Sequence, residues 1–400
     1  MSYRVYFTVI LAVWFFSELF CQGLFLLSMK RPVPRNVSEI YDRRGFRRLI
    51  RCNAQLRWFR VARVAGYCLL VLLYMWTDVQ QWIAPGPQSS PAAKIGAAVL
   101  ASVLVTVYSK LPIISQMIRK RYGYCRQEIR FFEKSDWIPF FVCGLMYFLF
   151  ISLLPGEKRT VSSETGDTWK WIAGGAAFCM AVRAVIRQGR FAGSLMQMPE
   201  GTLRSRIEGL LRDHRMQRIR IRVSCFDGGE MNASLTGFPG REILVLNQTL
   251  LDNLKDEEIC AVVMHELGHA SRYAMLQRAA GKLACGGLIL LTGIGMFRPE
   301  TLQYFRLHPA VPVLVMALVM LACMAICILQ NRHRNREEYN ADRCAVEAGF
   351  GAALITALKA IEKEGPGIPN PVPLFHLIVS DHPPLSRRIE NIEAHMRASM

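Results

Sequence analysis

Apolar positions along this chain follow two patterns: long runs with few polar interruptions, and polar stretches whose hydrophobic residues recur at helix or strand spacing. A membrane span needs about 20 mostly apolar residues. Seven segments qualify as candidates: Tyr6–Ser28, Val64–Ala84, Ile95–Ile114, Trp137–Leu154, Trp169–Ile186, Ala279–Phe297 and Pro309–Gln330. The second, fourth and fifth are short or interrupted by polar residues. A cleaved signal sequence is the competing reading of the first, but its long apolar run and the Met29-Lys30-Arg31 flank fit a retained span. In the polar stretches, Leu203, Ile207, Leu210 and Leu211 predict an amphipathic helix, and the strict alternation from Arg218 to Phe226 predicts a half-buried strand. Asn232–Phe238 and Glu242–Leu246 flank Pro239-Gly240 and predict a hairpin. Asp256-Glu257-Glu258 then opens a helix, an acidic first turn that suits the helix dipole.

The pattern implies a predominantly α-helical polytopic membrane protein of about seven transmembrane helices with a cytoplasmic α+β domain. Residues 1–186 are expected to hold five spans joined by basic cytoplasmic loops. Residues 187–278 and 331–400 form the two parts of the polar domain, and 279–330 form a hairpin of two spans between them. Composition agrees: 52% of residues are hydrophobic and 20% charged, which excludes a disordered chain, a collagen-like repeat and a small disulfide scaffold. The twelve cysteines form no CxxC pair, so no disulfide framework is implied.

The formal charge of +18 raises nucleic acid as a partner, and its placement argues against one. Met29–Arg63 carries a net +9 and Met117–Asp136 a net +3, whereas the alternate connections Pro85–Lys94, Gly156–Asp167 and Arg298–His308 lie within one charge of neutrality. The positive-inside rule then sets the N-terminus outside and the C-terminus in the cytoplasm. The excess cation is topology, with anionic lipid as a contact.

The helix opened at Asp256 carries His265-Glu266-Leu267-Gly268-His269. Two histidines four apart share a helix face and can reach one zinc ion, while Glu266 beside them can take a proton from a zinc-activated water. By chance, an HExxH arises in roughly one such chain in a hundred. Catalytic zinc needs a third protein ligand. Glu338 and Asp342, four apart in Glu338-Tyr339-Asn340-Ala341-Asp342, share a face, so one can bind the metal while the other holds a ligand histidine. Spacing alone leaves a solvated acidic helix start as an alternative.

HELGH, the Glu338–Asp342 motif and Asp381-His382-Pro383-Pro384-Leu385 with Arg388 together resemble the integral-membrane zinc metalloproteases of the type I CAAX prenyl protease family. The HtpX-like quality-control proteases are more distant relatives with the same site motifs. The resemblance implies a zincin-like metalloprotease domain on the cytoplasmic side, one Zn2+ per chain, and metal ligands His265, His269 and Glu338, with Asp342 behind them. It implies Glu266 as the general base and His382 and Arg388 as candidate donors to the oxyanion. A turn residue before Pro383-Pro384 is the alternative reading of His382, and Arg388 reads equally as an ion-pair partner. Asn232, Ala233 and Gly237 of the segment through Phe238 match the family's substrate-binding edge. Tyr122-Gly123-Tyr124-Cys125 departs from the family's Tyr-Gly-Phe-Asn and puts substrate identity in question. The implied partners are a peptide or protein substrate, prenylated or membrane-bound, and the bilayer, with no nucleic acid. The membrane is a bacterial inner membrane or an endoplasmic reticulum. CAAX processing, membrane-protein quality control and non-proteolytic client binding remain open as functions.

Overall fold

The structure is a computed structural model that describes residues 3–77, 89–123, 195–224, 231–238, 241–270, 272–296, 298–308, 310–364, 367–380 and 382–398. The expected fourth and fifth spans lie outside the described residues, as do Cys225, Phe226, Pro239, Gly240 and Asp381.

Three long helices open the chain: α1 (Tyr3–Met29), α2 (Arg43–Trp76) and α3 (Pro91–Arg121). The expected basic loop after the first span is largely helix. Only residues 30–42 precede α2, broken by a 3-10 turn at Arg35–Val37. Asp42 caps α2 by accepting from the Gly45 N–H at 2.8 Å, and arginine is a good helix former, so the charged stretch continues into the apolar one without a break.

The polar half begins with strand β1 (Leu195–Gln197) and helix α4 (Thr202–Asp213), which buries Ile207 and Leu211 as its periodicity predicts. Strand β2 (Arg220–Ser224) follows, with Ile221 and Val223 buried and Arg220 exposed. Strands β3 (Ala233–Phe238) and β4 (Arg241–Asn247) form the expected antiparallel hairpin, with Leu235 opposite Leu244. The sheet order is β1-β2-β4-β3. Its β2–β4 pairing is parallel, which alternation along each strand does not reveal. Gly237 has φ +113°, and a Cβ there would lie 2.5 Å from the Arg241 carbonyl oxygen, so the hairpin requires glycine at this position.

Helix α5 (Gln248–Asn253) leads to α6 (Asp256–Gly268), whose start is fixed by Glu258 accepting from the Lys255 N–H at 2.9 Å. Then come α7 (Arg272–Met296), α8 (Pro299–Leu307) and α9 (Ala310–Glu347), a continuous helix of 38 residues, about 57 Å long. The chain closes with α10 (Gly351–Glu364), α11 (Pro373–Val379) and α12 (Leu385–Ala398). The expected boundary at residue 331 falls inside α9, which is apolar in its first half and carries Glu338 and Asp342 in its second.

The main core joins β2, β4, α4, α5, α6, the end of α9, α10 and α12 through residues such as Leu244, Leu246, Val263, Met264, Leu354 and Ile392. A second cluster docks Val37, Tyr41 and Leu49 on Leu385 and Ile389 of α12. Asn36 donates to the Ser386 carbonyl at 2.9 Å, so the segment before α2 is fastened to the polar half.

Among the described residues, two helices are long and apolar enough to cross a membrane, α1 from Leu11 and α9. Other apolar side chains are also left uncovered, including Leu69 and Leu70 on α2, Val107 on α3, and Leu283 and Leu291 on α7. An exposed apolar surface of this extent marks contact with something other than water.

Candidate metal centre

Two helix segments cross to build the site. Helix α6 ends at Gly268, with His269 as its C-cap residue, and lies against the second half of α9. A Cβ on Gly268 would sit 2.7 Å from the Ala341 Cα and 3.0 Å from its Cβ. Glycine on one helix and alanine on the other allow the close approach that sets His265 and His269 opposite Glu338.

The side chains converge there. His265 Nε2 lies 3.2 Å from His269 Nε2, 3.6 Å from Glu338 Oε2, and His269 Nε2 lies 3.4 Å from Glu338 Oε1. One donor atom from each residue falls within 4.8 Å of the others. The two imidazole rings stand edge to face at 89°. His265 Nδ1 meets Asp342 Oδ1 at 2.9 Å, so the Nδ1 proton goes to the carboxylate and the Nε2 lone pair is left facing His269 and Glu338. Two nitrogen lone pairs and a carboxylate pointed at one another repel unless a cation or a proton lies between them. Glu338 Oε2 is moreover buried without a well-aligned hydrogen bond; the Arg388 guanidinium approaches it at 3.3 Å, and its remaining lone-pair capacity can serve an ion. Two imidazoles and one carboxylate form the donor set that suits Zn2+ while leaving a coordination position open. The residues fit the metal.

Arg388 on α12 closes the back of the site. It donates from Nε to Asp342 Oδ2 at 2.9 Å and from Nη2 to Oδ1 at 2.6 Å, and its Nη1 lies 3.3 Å from Glu338 Oε2. Asp342 is completely buried and Arg388 nearly so. Burial raises the Asp342 carboxyl, but the Arg388 charge and the bonds from His265 and Arg388 outweigh it and hold it below its ordinary value. Glu338 is likewise held far below the carboxylate range: burial opposes its charge, and His265, His269, His382 and Arg388 overcome that. Burial opposes the charge on His265 too, yet the bonds to Asp342 and Glu338 push its pKa up to about 9 without a metal.

Glu266 faces the sheet. The Leu235 N–H of edge strand β3 donates to Glu266 Oε2 at 3.3 Å, and burial raises the Glu266 carboxyl above its ordinary value despite the lowering by His265 and His269. His382 Nδ1 lies 2.9 Å from Glu338 Oε1 while its ring stays exposed. Asn232 is exposed just before β3, where it exchanges bonds with Asn247, and Ala233 begins the strand. The structure therefore brings His265, Glu266, His269, Glu338, Asp342, His382 and Arg388 together, and sets Ala233 and Gly237 at the two ends of the adjoining edge strand. Of the remaining described histidines, His376 pairs with Asn335 and His333 with Glu337, away from the site. Sequence reasoning did not include the Leu235 N–H or the Gly268–Ala341 crossing. The small residues inside the two motifs were the only signal for the crossing.

The sequence pattern of peptidase family M48 matches residues 197–396. Protease HtpX of Pseudomonas putida is 29% identical over 192 residues, 42% of this chain and 63% of the relative. A CAAX prenyl protease 1 homolog of Arabidopsis thaliana is 27% identical over 213 residues, 49% of this chain and 48% of the relative. The chain thus matches between about half and two thirds of the length of these curated relatives. The crystal structure of S. mikatae Ste24p shares the fold, with a TM-score of 0.63 at 17% identity over 98% of this chain and 99% of that one.

Proposed function

The chain belongs to peptidase family M48, and from that premise we propose that it is a zinc-dependent, membrane-embedded metalloendopeptidase. The observation that carries this reading is the convergence of His265, His269 and Glu338 within 4.8 Å beside the Glu266 carboxylate. In this reading those three residues hold the zinc, which when bound supplies Lewis acidity toward water and the peptide carbonyl.

The remaining roles belong to the chain. Asp342 keeps the proton of His265 on Nδ1, and Arg388 fixes Asp342, which makes Arg388 a positioning residue rather than a donor to the substrate. Glu266 takes the proton of the attacking water and hands it to the leaving amine, and its raised pKa suits both transfers. His382, exposed beside Glu338, is placed to donate to the carbonyl oxygen as it gains charge. The substrate adds as a strand to the edge of β3 from Asn232 to Gly237, read mainly through its backbone.

We further propose that the chain crosses the bilayer about seven times with the C-terminus cytoplasmic, and that prenylated C-terminal CAAX segments are its substrates. Quality-control cleavage of membrane proteins is the alternative. The test incubates detergent-solubilised protein and its Glu266→Gln variant with one CAAX peptide, prenylated and unprenylated, and maps the products by mass spectrometry. The expected result is cleavage of the prenylated form, falling by about a hundredfold or more in Glu266→Gln while the metal is retained. Indifference to the prenyl group would replace CAAX processing with quality control. Equal cleavage by the variant, or none by the zinc-loaded wild type, would defeat the protease reading and leave client binding.

A further inference from the structure

Six cations meet at one end of α2 and α3, and among the described residues no carboxylate pairs with them. Arg44, Arg47, Arg48 and Arg51 stand at i, i+3, i+4 and i+7 of α2 and so share one face. Lys120 and Arg121 come from the last turn of α3. Together with Tyr122 and Gly123 these side chains line a cavity of about 670 Å³. All six cations are exposed, and none makes an ion pair among the described residues. The acids of this segment are engaged elsewhere: Asp42 caps α2, and Glu39 pairs with Lys359 at 2.6 Å.

Packing accounts for little of this charge. Arg48 Nη1 lies 4.0 Å from where a Cβ of Gly123 would stand, so one guanidinium faces the carbonyl end of α3, where a cation is favourable. The other five gain nothing comparable and repel one another, an arrangement that an anion in the cavity would relieve. Guanidinium groups present paired N–H donors that match phosphate oxygens two at a time. The face of α3 that leads to the cavity exposes Val107, Ile114 and Met117, with Lys110 among them. Met117 lies one turn before Lys120. A ligand that is polyanionic at one end and apolar beyond it fits both halves of this surface.

We propose that the cavity binds the headgroup of a phospholipid carrying two phosphate groups, with its acyl chains along the exposed face of α3. This site is separate from the metal centre and does not depend on what the centre does.

The test places the full-length protein in phosphatidylcholine nanodiscs with and without cardiolipin, a diphosphate lipid, and counts retained lipid by native mass spectrometry. Cardiolipin is expected to be retained in preference to phosphatidylcholine. Arg47→Gln combined with Arg51→Gln should weaken retention by about thirtyfold, and Arg51→Gln alone by about fivefold. Arg218→Gln combined with Arg220→Gln, which removes the same charge from the exposed arginines at β2, should leave it unchanged. Melting temperatures in phosphatidylcholine alone check that each variant folds. Equal retention of the two lipids, or equal loss in the β2 variant, would overturn the site. Inorganic pyrophosphate titrated into detergent-solubilised protein separates the sources. Pyrophosphate binding that needs Arg47 and Arg51 without any lipid preference would overturn the lipid assignment in favour of a soluble phosphate.

Discussion

The metal centre and the basic end of α2 and α3 both concentrate charge, and they treat it in opposite ways. At the centre, Glu338, Asp342 and Arg388 are buried, and each meets an opposite charge or an imidazole within 3.6 Å. At the basic end, six cations stand exposed without a carboxylate partner among the described residues. Burial explains the difference. A charge removed from water must be paired, because its desolvation cost greatly exceeds what a single surface interaction returns. An exposed charge is satisfied by solvent and stays available to whatever binds next. The centre is thus nearly self-neutralising, with Glu338 shared between Arg388 and the two histidines, whereas the basic end keeps its field for a ligand.

The strongest way to break this contrast is to remove one partner from the closed set. Asp342→Asn leaves Arg388 buried beside a neutral amide and should cost about 3–5 kcal/mol of stability. Because the amide no longer holds the His265 tautomer, zinc affinity should fall about 10–100-fold as well. Thermal melting and competitive zinc titration read the two effects. A variant that melts and binds zinc like the wild type would mean that the Asp342–Arg388 pair is a bystander.

Protonation probes the same set more gently. In metal-free protein the His265 pKa is raised from 6.5 to about 9. A raised pKa adds stability that is fully present below pH 6.5 and is lost as pH climbs through 9, at most about 3 kcal/mol for a shift of this size. Zinc binding instead needs the deprotonated imidazole and releases the proton. Metal-free protein should therefore melt lower at pH 9 than at pH 6.5, and the gain in melting temperature on adding zinc should widen over that window. Parallel pH profiles with and without zinc would contradict the proton and the metal sharing one position.

A smaller effect is expected where the two helices cross. Gly268→Ala pushes a methyl group to 2.7 Å from the Ala341 Cα, a backbone neighbour that cannot swing aside, so α6 and α9 must separate. Overpacking of this kind costs about 1–3 kcal/mol. Zinc affinity should fall with it, because the crossing sets the distance between the histidines and Glu338. Unchanged affinity with lowered stability would show that the centre tolerates a wider crossing.

The parts of the molecule legible in the sequence are those with a local period or motif. The alternation of Ile219, Ile221 and Val223, the β3–β4 hairpin and the amphipathic α4 were readable because each depends only on neighbouring residues. His265 and His269 were readable through their spacing, whereas spacing left Glu338 and Asp342 open and the family resemblance singled out Glu338. That the motifs meet was an expectation drawn from the need for a third ligand and from the resemblance, since His269 and Glu338 lie 69 positions apart and no local pattern encodes the crossing. The fastening of residues 33–49 to α12 was illegible for the same reason: Asn36 and Ser386 lie 350 positions apart. The secondary structure of the basic connection after the first span was not read from the sequence; arginine's helix propensity and the Asp42 cap carry α2 straight through it.

Arg387 and Arg388 bring the contrast down to adjacent residues on α12. They differ by one step along the helix, about 100° of rotation, which turns one side chain into the centre and the other to solvent. Arg387 pairs with Glu390 at 3.1 Å while both side chains stay more than half exposed. Water screens that pair and both side chains remain mobile, so Arg387→Gln should shift stability by less than about 0.5 kcal/mol. Arg388→Gln, by contrast, should approach the loss seen for Asp342→Asn. The comparison needs only the two melting temperatures and two zinc titrations, and added salt should erase the Arg387 effect while sparing that of Arg388. A loss at Arg387 comparable to that at Arg388 would mean that the charge of α12 acts on the centre as a whole, and that burial is not what separates the two arginines.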